Sequence, residues 1–212
     1  MKQYLKFTAG ILMLLLLIGT AEGQKIKNKD FKTKLKIAKK EGRQLEKDDW
    51  FVSPGDLPLE KQLERTYKKG LEEDDYGYSK YIIASGNAVA QTQSAAKMQA
   101  QEIAKIEMAS QLSSQIAATI DNQIANNQLN QEDAASLQKM VAASKNVISQ
   151  KIGRTLDLVE MYRKLKNKNI ECQVRIGYSM ELAQQAVVAS MKEQLQADAS
   201  IAADKLDKIL DF

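Results

Sequence analysis

Ala96, Ala100, Ala104, Met108, Leu112, Ile116, Ile120 and Ile124 recur at every fourth residue. A step of four keeps side chains on one side of a 3.6-residue helix, so this stretch reads as one long helix over residues 88–124. The stripe opens with three alanines, and methyl groups let a neighbouring backbone come close. Ile103 and Ile106 are expected to widen the apolar face. Just upstream, residues 78–85 read as a strand, which Gly86-Asn87 is expected to break. Two roles suit Gly86 there: close packing against the helix, or a positive-φ turn from strand into helix.

The second clear signal is a pair of alternating segments. Leu156, Leu158, Glu160 and Tyr162 alternate with Asp157, Val159, Met161 and Arg163. After Lys166-Asn167-Lys168-Asn169, Ile170, Cys172, Val174, Ile176 and Tyr178 alternate with Glu171, Gln173, Arg175 and Gly177. Period two on both sides of an Asn-containing turn predicts a β-hairpin. Between the long helix and the hairpin, Asn130 is placed to cap a second helix with Leu137, Met140, Val141, Val147, Ile148 and Ile152 on its face, ending at Gly153. Ser179 is placed to cap a final helix to about Leu210, striped by Met180, Ala183, Val187, Met191, Leu195, Ala202, Leu206 and Ile209. The expected fold class is α+β, in the order β-α-α-β-β-α, with long helices on one face of a small sheet.

Upstream of this domain, residues 50–77 read as a helical arm and linker. Asp56 is placed to cap a helix with Pro58 in its first turn and Leu59, Leu63, Tyr67 and Leu71 on one side. Residues 1–23 have the pattern of a secretory signal: Lys2 and Lys6, then the apolar run 11–18, then Ala21-Glu22-Gly23, with cleavage expected before Gln24. No later stretch is long and apolar enough to span a bilayer.

Charge is unevenly spread. The chain is formally +4, but residues 25–43 hold nine basic and two acidic residues, and residues 44–212 hold 20 basic and 24 acidic. Lys25, Lys27, Lys29, Lys32, Lys34, Lys36, Lys39, Lys40 and Arg43 form a basic extension within residues 24–49, a candidate site for anionic headgroups or polysaccharide. Phe31, Leu35 and Ile37 are placed to dip into a membrane interface. Three conformations fit the extension: a strand with one basic face, a helix through Phe31, Leu35 and Ala38, or a mobile tail. Nucleic acid is not an expected partner, because no reading module is present and export removes the chain from the genome.

The chain has no His and a single Cys. That excludes His-based catalysis, His metal sites and an internal disulfide. Cys172 falls on the apolar side of its strand and reads as a small buried hydrophobe. Nucleophile and phosphate-loop motifs are absent. The acidic runs Asp48-Asp49 and 72–75 lack the spacing of a calcium loop. The chemistry therefore points to a protein without enzymatic activity or cofactor.

A strand ending in Gly86-Asn87-Ala88, a helix with Ala96, Ala100 and Ala104, a hairpin and a closing helix together resemble the lipoprotein-20 family of bacterial envelope proteins. The likeness covers residues 78–200 and is nearest to exported members from Gram-negative anaerobes. It implies a compact α+β domain for residues 78–212, structural roles for Gly86 and Asn87, and an address in the periplasm or at the outer membrane. No Cys stands near residue 23, so the family's lipid anchor is not carried over. The implied partner is an envelope protein or an anionic membrane surface. A homo-oligomer through the Ala-rich helix is a further option.

Overall fold

The computed structural model describes residues 31–125 and 131–197. The expected signal segment, Lys25, Lys27, Lys29, the Asn130 cap and the end of the last helix lie outside these residues. Among the described residues, five helices and three strands follow in order: α1 over 31–47, α2 (Leu59–Lys69), β1 (Tyr81–Ala90), α3 (Gln93–Ala125), α4 (Gln131–Lys151), β2 (Leu156–Lys164), β3 (Ile170–Ser179) and α5 (Met180–Ala197). The α+β class and the element order from β1 onward are those read from the sequence.

The sheet is antiparallel throughout, in the order β1-β3-β2. The hairpin forms around residues 165–169. Lys168 N–H donates to the Leu165 carbonyl, and Leu165 N–H donates to the Asn169 carbonyl. Lys168 takes the left-handed conformation that such a loop requires, at φ 67°. Ser179 caps α5 as expected, its Oγ accepting from Leu182 N–H at 3.5 Å.

The strand does not break at Gly86-Asn87. β1 runs on to Ala90, with Gly86 paired to Val174 and Asn87 to Gln173. Helix α3 starts later than expected, and its cap is Thr92, whose Oγ1 accepts from Ala95 N–H. The reason lies in packing. Ala96, Ala100 and Ala104 are fully buried against β1. A Cβ on Gly86 would sit 2.0 Å from the Ala100 carbonyl oxygen and 2.7 Å from the Ala104 nitrogen. Of the two roles open to Gly86, close packing is the one it plays, as backbone lies directly on backbone.

The second face of the sheet is also covered, over β2, and not the first alone. On the first, Ile82, Ala84 and Ala88 of β1, Cys172, Val174 and Ile176 of β3, and Tyr162 of β2 pack beneath α3, α4 and α5. On the second, Val159 and Met161 of β2 meet Ala38 of α1, Trp50, and Leu59 and Leu63 of α2. The expected helical arm is thus half of a second layer. Its helix is preceded by Pro58 with no side-chain cap, so Asp56 does not play the capping role.

Two more expectations change for physical reasons. Strict alternation fails in β2, because a bulge between Asp157 and Val159 shifts the register. Leu158 then lies against Gly177, whereas Glu160 and Tyr162 share the opposite face with Val174 and Cys172. Ile103 and Ile106 do not widen the α3 stripe. Both are exposed, on the outer side of the helix.

The two sheet edges differ. Along β2, Phe51 exchanges both backbone hydrogen bonds with Tyr162, and the Gln62 side-chain oxygen accepts from Glu160 N–H at 2.7 Å. The outer edge of β1 has no strand partner among the described residues.

Candidate anion-binding surface

The basic segment folds as a helix, the second of its three possible conformations. Phe31, Leu35, Ala38, Gly42 and Leu45 recur at steps of three and four and face inward: Ala38 and Gly42 are buried, the others half-buried. Gly42 has a spatial reason, since a Cβ there would meet Glu60 Cα at 3.0 Å. Phe31 and Leu35 therefore serve this chain's own packing. Their expected dip into a membrane does not fit this burial; Ile37 alone of the three is exposed.

At about 100° per residue, Lys32, Lys36, Lys39, Lys40, Arg43 and Lys47 fall within about 100° of arc on the outward side of α1. All six are exposed. From Lys32 to Lys47 the stripe is about 22 Å long at 1.5 Å per residue. Lys39 pairs with Glu60 at 3.4 Å. Lys34 lies apart from the stripe, its Nζ 5.7 Å from the centre of the Tyr67 ring. Lys32, Lys36, Lys40 and Arg43 make no ion pair among the described residues.

The helix is fixed to the sheet by a polar clamp. Arg175 of β3 donates from Nη2 to Glu41 Oε1 at 2.5 Å, and Tyr67 Oη donates to Glu41 Oε2 at 2.8 Å. Burial raises the Tyr67 hydroxyl pKa, and the bond to Glu41 adds to the rise. The phenol thus stays a donor at neutral pH.

The other singled-out residues lie in the sheet. Asn87 is exposed on β1, and its Nδ2 donates to Glu171 Oε1 at 2.9 Å. Arg163 donates to the other Glu171 oxygen at 2.7 Å. Burial of Glu171 pushes its pKa up, but Asn87 and Arg163 outweigh that and hold the carboxyl below its ordinary range. Asn87 is therefore a sheet residue that steadies a charge pair.

Cys172 is fully buried opposite Tyr162. Tyr162 Oη donates to Glu160 Oε1 at 2.5 Å, and Lys97 Nζ reaches Glu160 Oε2 at 2.5 Å. Burial first, and then the Glu160 charge, push the Cys172 thiol up to about 12. Such a thiol is protonated and inert. Native protein is expected to resist iodoacetamide and to be alkylated fully in denaturant. Ready modification of the folded chain, followed by mass spectrometry, would contradict the burial.

Among the described residues no cluster of three or more His, Cys, Asp or Glu side chains is arranged for a metal ion. No described helix is long and apolar enough to cross a membrane. Asp48 and Asp49 end α1: Trp50 N–H donates to the Leu45 carbonyl, with Asp49 at φ 63°. Glu72 and Asp74 are engaged locally, Glu72 with Lys69 and Asp74 with the Tyr76 and Tyr78 amides.

Compared with known protein families, curated proteins and solved structures, the chain matches none.

Proposed function

We propose that this is an exported cell-envelope protein that works by contact, not by catalysis, and that its contact surface is the basic stripe of α1. One observation carries the reading: Lys32, Lys36, Lys39, Lys40 and Arg43 project together from a helix that is clamped to the sheet. The ligand chemistry is a repeated phosphate or carboxylate, from lipid headgroups or from an anionic polysaccharide. The signal-like residues 1–23 and the resemblance to the lipoprotein-20 family support the envelope address. The apolar side of α1 is taken up by the chain's own packing, which favours adsorption through charge over insertion.

Each Lys or Arg near an anionic surface contributes about 1 kcal/mol. Replacing Lys32, Lys36, Lys40 and Arg43 by Gln keeps good helix formers in place and removes four charges. Retention on phosphocellulose is expected to fall roughly a thousandfold at low salt. The parent should elute as salt rises, because exposed charges are screened over about 10 Å at 0.1 M. Equal retention of variant and parent would end the proposal.

A further inference from the structure

The stripe on α1 is one row of a wider basic plate. Helices α1 and α2 lie antiparallel: Gly42 meets Glu60 near the start of α2, and Lys34 lies over Tyr67 near its end. The buried side of α2 is set by Leu59, Gln62, Leu63 and Thr66. Opposite it, Lys61, Arg65 and Lys68 fall within about 60° of arc. All three are exposed. Lys61 pairs with Glu64 at 2.8 Å, whereas Arg65 and Lys68 make no ion pair among the described residues. Lys39 of α1 reaches across to Glu60 of α2, on the side of α2 that faces α1.

We infer that the two helices together form a flat docking face for a bilayer rich in anionic phospholipid. The inference rests on the contact function proposed above and names its partner. A linear polymer lying along α1 would be met by one row of cations. Two rows side by side on one layer match a plane of headgroups. Across residues 31–69 there are eleven basic and seven acidic residues. The sheet separates this layer from α3, α4 and α5, so the protein would lie with its sheet parallel to the bilayer and α3 facing away.

The test uses the chain expressed from residue 1 and vesicles of phosphatidylcholine with or without phosphatidylglycerol. Parent protein should sediment with the phosphatidylglycerol vesicles only, and less so as salt rises. The Arg65→Gln, Lys68→Gln double variant should lose roughly thirtyfold in vesicle affinity while keeping its retention on phosphocellulose. In an Arg65→Cys chain, a polarity-sensitive dye on the new thiol should shift on binding, and a dye on Glu107→Cys of α3 should not. Cys172 is buried and should not take the label. Unchanged vesicle binding by the double variant would overturn the plate, leaving the α1 reading intact if the α1 variant still loses phosphocellulose binding. Binding to phosphocellulose but to neither vesicle would make the partner a polymer and overturn the inference. A dye response on α3 instead of α2 would overturn the orientation.

Discussion

Gly86→Ala is expected to destabilise the protein by about 3 kcal/mol or more, at the upper end of what overpacking costs. The added Cβ would meet the Ala100 carbonyl oxygen at 2.0 Å and the Ala104 nitrogen at 2.7 Å. Both obstacles are backbone atoms, so no rotamer change relieves them and trimming Ala100 to Gly would not help. Helix α3 must lift, and lifting it loosens the close fit of Ala96, Ala100 and Ala104, all fully buried. In a domain whose total stability is about 5–15 kcal/mol, that is a large fraction. Gly153→Ala is the control. Its Cβ would meet only Tyr178 Oη, at an ordinary 3.8 Å, so stability should change by less than about 1 kcal/mol. Paired thermal melts decide the matter, with Gly86→Ala expected about 6–12 °C lower in Tm. Similar melting of the two variants would mean that α3 does not rest on β1 as described.

The second large effect is expected at Leu63. Its side chain is fully buried in the cluster formed by Ala38, Trp50, Leu59, Val159 and Met161. Truncation to Ala leaves a cavity at the meeting of α1, α2 and β2, costing about 3 kcal/mol within the usual 2–5 for such changes. The cost should not be spread evenly. Among α1's contacts, Ala38 belongs to this cluster, and the Arg175–Glu41–Tyr67 clamp is partly exposed. Limited proteolysis should therefore open α1 before the hairpin, and salt-sensitive retention on phosphocellulose should weaken with it. A variant that melts lower but is cut uniformly along the chain would show that the two layers open together. The same geometry makes point substitutions a cleaner probe of the basic surface than deletion of residues 24–43, because deletion would also remove Ala38, Glu41 and Gly42 from the packing.

The hairpin, the order of elements from β1 and the long Ala-striped helix were legible because each rests on a local period. The residues that misled are those whose role is set by a distant neighbour. Gly86 looks like a strand breaker, but it answers to Ala100 across the sheet–helix interface. Leu158 continues a perfect alternation on paper, and only the pairing with β3 reveals the bulge. Helix α3 starts from Thr92 and not at Gly86-Asn87, because β1 stays paired with β3 as far as Ala90. Of the basic surface, sequence exposed the α1 row as a run of lysines. It hid Arg65 and Lys68, which are unremarkable in composition and join the row only when α2 lies beside α1. Asn87, singled out for its place after Gly86, proved to steady Glu171, a partner 84 residues away.

The seat of α3 on Gly86 also bears on self-association. A ten-residue edge strand without charge, proline or bulge is a ready template for another strand. Two copies of β1 paired edge to edge would lie about 4.8 Å apart. Each carries a helix directly above it, and helices pack no closer than about 8 Å. In antiparallel pairing, which puts both α3 helices on the same face of the joined sheet, the helices would collide before the strands could bond across the middle of β1. The glycine that lets α3 settle onto β1 thus also guards that edge, by steric exclusion, against antiparallel templating by a chain of its own kind.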